Sequence, residues 1–213
     1  MARSRFHSRR SFVQEPRALT RSIVCALSLC AGACNSNLIL EVSSFSDGAR
    51  GSLRSVLELA NSNAAGLHRA ITIEVPAGGY ELVRCGADDV NTGGDLDALT
   101  DVPLTLSARG GEVVVRQACA GERVIDSHGE GLLTLRGLTL RGGSLATTDP
   151  REPAEGGALR AASDVNLEKV TIAGNSARGA SGVRLADGST LDGAPAHGGG
   201  SSLEVRCRPT TRT

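Results

Sequence analysis

Hydrophobic residues recur at every second position, in short runs, along most of this chain. Between Pro103 and Gly143 the runs read "PLTLSA", "EVVVRQ", "RVIDSH", "LLTLRG" and "LTLRGG", each broken by Gly, Arg or Asp. Such alternation predicts half-buried strands of about three to six residues. Upstream, "AITIEVPAGGYELV" alternates Ile71, Ile73 and Val75, breaks at Pro76 to Gly79, and resumes with Tyr80 and Leu82. That pattern predicts two strands joined by a short turn. One segment has a different period: "GSLRSVLELANSN" sets Leu53, Val56, Leu57 and Ala60 on one helical face, with Ser52 as N-cap and Asn61 to Gly66 as the end.

The runs also repeat at long range. "LTLRGLTLRGG" from Leu133 aligns with "VNLEKVTIAGN" from Val165, an offset of 32 (165 − 133). The turn-rich "SLATTDPREPAEGG" between them reads as an insertion, so the underlying period is expected to be shorter. Two four-residue strands separated only by Arg136 and Gly137 leave no room for a hairpin and imply a corner. A parallel β-solenoid makes such corners in every coil and stacks equivalent strands of successive coils. Leu133, Leu135, Leu138 and Leu140 are then expected to point inward against Val165, Leu167, Val170 and Ile172, on two sides of one coil, with Asn175 at a corner.

Composition sharpens this picture. Only 2% of the 213 residues are aromatic (Phe6, Phe12, Phe45 and Tyr80), so small aliphatic layers must form the core. A formal net charge of zero and the scarcity of stacking side chains argue against nucleic-acid binding.

The N-terminus carries six arginines before the apolar "IVCALSLCAGAC", which is too short to span a bilayer. It reads as an export signal over 1–33, leaving no transmembrane helix in the mature chain. Cys34 after "AGA" is a candidate lipid-bearing cysteine, although Ala31 stands where a lipobox usually has Leu. Cys34, Cys85, Cys119 and Cys207 would remain in an oxidising compartment, with Cys85 and Cys119 the expected pair.

Three patterns suggest chemistry. The acidic "CGADDVNTGGDLDALTD" offers Asp89, Asn91, Asp95 and Asp97 as hard oxygen ligands for calcium, and fits a series of Asx turns equally well. No other cofactor is expected. Asp126-Ser127-His128 resembles a triad written in a row, but neighbours on a strand face opposite ways, and the histidines are expected in surface or turn positions. Asp126, Asp164, Asp187 and Asp192 with Arg136, Arg141 and Arg184 supply the side-chain types of a polysaccharide lyase, without a spacing that singles out a catalytic set.

"DGARGSLRSVLELAN" at 47–61 resembles the opening of bacterial cell-surface right-handed parallel β-helix repeat proteins, which begin with a Cys-Ser-Leu-Arg motif and a short helix. "GGDLDALTDVPLTLSARGG" and "GERVIDSHGEGLLTLRGLTLRGG" are similar to the family's later course. Gly156 to Leu159 and Ile172 to Asn175 resemble the repeat of polymorphic outer-membrane proteins. Gly51 stands at the family's Cys and removes one potential disulfide partner. The resemblance covers roughly residues 45 to 180; the family usually continues for more coils, so it implies a truncated or frameshifted relative.

The expected fold is thus all-β, a short right-handed parallel β-helix (solenoid) with an N-terminal capping helix. Its parts are a signal peptide at 1–33, a polar linker at 34–50 and the capping helix with the first strands at 51–82. Coils follow at 83–180, with an Asp-rich loop at 86–101 and an inserted loop at 144–157. A degenerate last coil and disordered tail, without strand periodicity, end the chain at 181–213. The resemblance implies an exported, outer-membrane, cell-surface or extracellular protein with a structural, adhesive or glycan-binding role toward a surface polysaccharide or surface protein. A pectate-lyase-like enzyme is the alternative, and a nonfunctional fragment a second one.

Overall fold

The computed structural model describes residues 37–64, 69–86, 88–198 and the strand at 203–205. The expected signal segment, Cys34 and residues 206–213 of the tail lie outside these. The described chain is a parallel β-solenoid of about four turns with one helix. It opens with β1 (Leu38–Glu41) and α1 (Leu53–Ala64), then β2 (Ile71–Leu82) and β3 (Leu96–Ala98), then β4 (Leu104–Gln117) and β5 (Ile125–Ser127). The next coil holds β6 (Leu133–Arg136), β7 (Leu138–Arg141), β8 (Ser144–Ala146), β9 (Ala154–Glu155) and β10 (Leu159–Ala161). The last holds β11 (Val165–Glu168), β12 (Val170–Ala173), β13 (Ser176–Arg178), β14 (Val183–Arg184), β15 (Thr190–Leu191) and β16 (Ala196–His197). Finally β17 (Leu203–Val205) pairs antiparallel with β12.

Inward side chains stack in columns because each strand pairs in parallel with its equivalent one coil on. Ile71, Leu104, Leu133 and Val165 form one column, and Ile73, Leu106, Leu135 and Leu167 a second. Tyr80, Val115, Leu140 and Ile172 form a third on the far side of the bend. A narrower sheet, ordered β10-β5-β3, closes the opposite wall with Leu96, Ile125 and Leu159. Each aliphatic side chain buried in this way contributes about 1.5–3 kcal/mol relative to exposure, so the columns compensate for the near absence of aromatic residues.

The corner between the two short leucine strands is real, but β6 and β7 belong to one bent sheet, since both pair with β4. Gly137 turns the chain at φ +70°, and Lys169 occupies the equivalent corner of the next coil at φ 55°. Two outward positions, Arg136 and Gly137, are used at the bend, so Leu135 and Leu138 both remain buried. Asn175 sits buried at another corner: its Nδ2 donates to the Leu140 and Ala173 carbonyls, and its Oδ1 accepts from the Gly143 amide.

Several expected boundaries are corrected. Pro76 to Gly79 do not separate two strands; β2 runs through them with a register shift between Pro76 and Gly78, the kind of bulge that tolerates proline. Likewise "PLTLSA" and "EVVVRQ" lie in the single strand β4. The interval expected as a polar linker contains β1, paired with β2. The segment read as an insertion at 144–157 supplies β8 and β9, which pair with β13 and β16, so it belongs to the coil. Leu133 and Val165 are therefore direct register partners, and no shorter period underlies their spacing. Past residue 180, where the sequence shows no strand pattern, the described residues include four strands of two or three residues, held by pairing with earlier or neighbouring segments.

Helix α1 covers the open edge of the narrow sheet. Ser52 accepts the Ser55 amide as N-cap, and Leu53, Val56, Leu57 and Ala60 are buried. Asn61 then closes the edge strand itself: its Nδ2 donates to the Asp97 carbonyl at 2.8 Å, and its Oδ1 accepts the Leu99 amide at 3.0 Å. Asn61 thus satisfies part of a strand edge that would otherwise recruit other chains.

Candidate functional site

The narrow sheet carries the site on its outward face. Register places Asp97 of β3 beside Asp126 of β5, and Asp126 beside Arg160 of β10, one from each coil. Flanking Leu96, Ala98 and Ile125 point inward, so the middle residue of each strand must point out. Asp97 and Asp126 are nonetheless buried, because the acidic loop folds back over them.

Backbone geometry and one arginine hold that loop down. Asn91 adopts a left-handed φ of 64°; its amide donates to Asp97 Oδ2 at 2.8 Å, its Oδ1 accepts the Asp97 amide, and its Nδ2 donates to the Arg54 carbonyl. Asp88 accepts the Val90 and Thr92 amides in an Asx turn. Arg54, buried on α1, donates to the carbonyls of Gly93 at 3.0 Å, Gly94 at 2.9 Å and Asp95 at 2.6 Å. Its Nε pairs with Asp47 at 2.8 Å, and Asp47 also accepts the Val83 and Arg84 amides. Burial raises the Asp47 carboxyl pKa, but the Arg54 hydrogen bond and charge, with the two amides, outweigh it and hold the group below its usual range. Gly51 lies beside this motif at φ +78°, where an added Cβ would strike the Ser43 hydroxyl.

Charge is unevenly matched at the centre. Asp126 is bound by Arg123 at 2.9 Å and by Arg160 through Nε and Nη2, both at 2.8 Å. Asp97 receives one amide at Oδ2, while its buried Oδ1 has no hydrogen-bond partner. Burial, only partly offset by the Asn91 amide and reinforced by the carboxylates of Asp95, Asp126 and Asp88, pushes the Asp97 pKa up to about 7. Asp95 is raised as well, by burial and by Asp126, against the Arg123 charge. The His128 ring, on the same side as Asp126, puts Nε2 3.5 Å from Asp126 Oδ2, 3.6 Å from Asp89 Oδ1 and 3.7 Å from Asp97 Oδ1. Arg160 Nη2 lies 3.3 Å from the same nitrogen.

The calcium quartet expected from the sequence is not assembled. Asp89 and Asp97 meet, but Asn91 spends its amide on backbone and Asp95 turns to Arg123. Residues 96–98, expected within the loop, form β3, which is why Asp97 is rigidly placed. The lyase set is scattered: Asp126 is held by two arginines, Arg136 pairs with Glu168 on the long sheet, and Asp187 closes a turn with Ser189. Cys85 and Cys119 form a disulfide with Cα atoms 5.3 Å apart.

Arg54, Arg123, Arg160 and the position of His128 went unread in the sequence. The 54/57/61 stripe on α1 and the i, i+2 placement of Asp126 and His128 were the available signals.

A second surface feature lies on the long sheet. Thr72, Thr105, Thr134 and Asn166 stand in register on four successive coils, forming one column on the outward face in which Thr134 is buried and the other three are half-buried. Charges flank it: Arg109 bridges Glu41 at 3.2 Å and Glu74 at 2.8 Å, and Arg136 pairs with Glu168 at 2.6 Å.

Comparison of the chain with family models, curated proteins and solved structures gave no match in any of the three. Among the described residues no helix is long and apolar enough to cross a membrane.

Proposed function

We propose that the protein is an exported bacterial cell-surface β-helix with a structural or adhesive role, presenting the outward face of its long sheet to a surface polysaccharide or surface protein. The in-register polar column Thr72–Thr105–Thr134–Asn166 carries this reading. Stacked strands repeat such groups about every 4.8 Å, which suits a partner that is itself extended. Hydroxyls and amides that both donate and accept can bind sugar hydroxyls without a deep pocket. The Cys85–Cys119 disulfide supports an oxidising compartment, and the likeness at 47–61 supports the surface family. Attachment through a lipid on Cys34 belongs to the same proposal.

The test uses the full chain in a bacterial host. Intact cells should expose it to added protease, and purified protein should be retained on a panel of bacterial surface polysaccharides. Replacing the half-buried Thr72 and Thr105 together with Val should abolish retention while leaving the circular dichroism melt intact. A protein confined to the cytoplasm would refute the reading, and release of unsaturated oligosaccharides would replace it with the lyase alternative.

A further inference from the structure

Three side chains of different type converge where the acidic loop meets the narrow sheet. Asp97 comes from β3, His128 from the residue after β5, and Asp89 from the exposed bend of the loop; one ligand atom from each lies within 4.8 Å of the others. An acidic cluster alone would mean little. Here, however, the Asp97 side chain is 0% exposed, and its Oδ1 has no hydrogen-bond partner although it faces His128 Nε2 at 3.7 Å. A buried carboxylate oxygen without a donor is costly, and native proteins leave few of them.

The spacing is informative too. Separations of 3.6 and 3.7 Å from Nε2 to Asp89 and Asp97 exceed a hydrogen bond. They approach the edge of a tetrahedron, about 3.4 Å, whose centre lies about 2.1 Å from each ligand, as around zinc. Four carboxylates, Asp89, Asp95, Asp97 and Asp126, face two guanidinium groups, Arg123 and Arg160, which leaves a field that favours a dication. We propose that Asp89, Asp97 and His128 bind a divalent first-row transition-metal ion of the zinc type, with water completing its coordination.

The imidazole sets the metal class. Calcium and magnesium take oxygen ligands, whereas a nitrogen with two carboxylates suits zinc and its neighbours. Asp126 Oδ2 lies 3.5 Å from the same nitrogen but is already held by both arginines, and so stays outside the coordination sphere. Arg160 Nη2, 3.3 Å from Nε2, is the competitor that the metal displaces from the imidazole while Arg160 keeps Asp126.

The experiment is calorimetric titration of the chelator-stripped full chain with zinc chloride and, separately, calcium chloride, repeated for Asp89→Asn and His128→Gln. Asp89 is 85% exposed, so its variant should melt like the parent without metal. The expected result is one zinc equivalent, weakened at least about tenfold in each variant, with calcium at least about a hundredfold weaker than zinc. Cobalt(II) should give a visible absorption band that His128→Gln removes. No zinc binding, zinc binding unchanged in both variants, or calcium binding equal to zinc would each overturn the proposal.

Discussion

Arg54 makes the most demanding prediction. Its guanidinium is buried and spends its donors on three loop carbonyls and on Asp47. In Arg54→Met the stem is replaced, so the apolar volume largely survives, while the Asp47 carboxylate loses its cation, the Gly93 and Asp95 carbonyls lose the arginine's hydrogen bonds, and the Gly94 carbonyl keeps only Gln117 Nε2. Hydrogen bonds to a charged group contribute about 1.5–3 kcal/mol each, and breaking a buried ion pair on one side costs about 3–5 kcal/mol. These overlap, because all act through one group, and Asp47 keeps its two amide donors. A net loss of about 3–5 kcal/mol follows, which for a chain of this size is a melting-temperature fall of about 10 °C. Arg54→Lys should cost nearly as much, since a single ammonium cannot serve three carbonyls and a carboxylate arranged around a planar fork. Urea unfolding followed by far-UV circular dichroism gives the free energies. A loss below about 1 kcal/mol for Arg54→Met would refute the clamp, since an exposed or water-shared arginine costs that little.

Acid should act on the same pair. The Asp47 carboxyl is held below its unfolded value, so its contribution is fully present above the ordinary Asp range and is lost as pH falls through the folded pKa. The acid midpoint of Arg54→Met should therefore move to higher pH than the parent's, as read by fluorescence of a dye that binds unfolded chain. Reducing the Cys85–Cys119 disulfide, which spans a sequence separation of 34, should lower stability by about 4 kcal/mol on the chain-entropy model, measured as the shift in urea midpoint with reductant. At the leucine corner, Gly137→Ala forces a side chain into φ +70° and within 3.1 Å of Ala108 Cβ, and should cost about 1–2 kcal/mol in the same assay.

The columns of the core were legible in the sequence because burial on one side of a strand imposes period two, and Leu133 to Leu140 repeat at Val165 to Ile172 with the register that the strands adopt. The capping helix was legible for the same reason at period 3.6. Pro76 to Gly79 and Gly110-Gly111 misled, since the residues that make turns also make bulges, and only stacking against the next coil decides between them. The site was harder. Asp97 looks like one more loop acid until Leu96 and Ala98 are seen to be inward neighbours on a strand. Its meeting with Asp126 and Arg160 depends on coils of unequal length: Asp97 pairs 29 residues on, and Asp126 pairs 34 residues on. Unequal spacing hides such a column from any search for a fixed period. Arg54 was hidden by its class, because arginine on a helix is ordinarily read as solvent-facing.

Native-state hydrogen exchange on the full chain tests the parallel stacking most directly. Strands paired on both sides should be slowest, so amides in β4, β6 and β7 should exchange together, at rates set by global unfolding, while the edge strand β1 and the short β14–β15 pair open earlier. Rapid exchange in 104–117 or 133–141 while α1 stays protected would contradict the solenoid, because no coil could then be holding its neighbours.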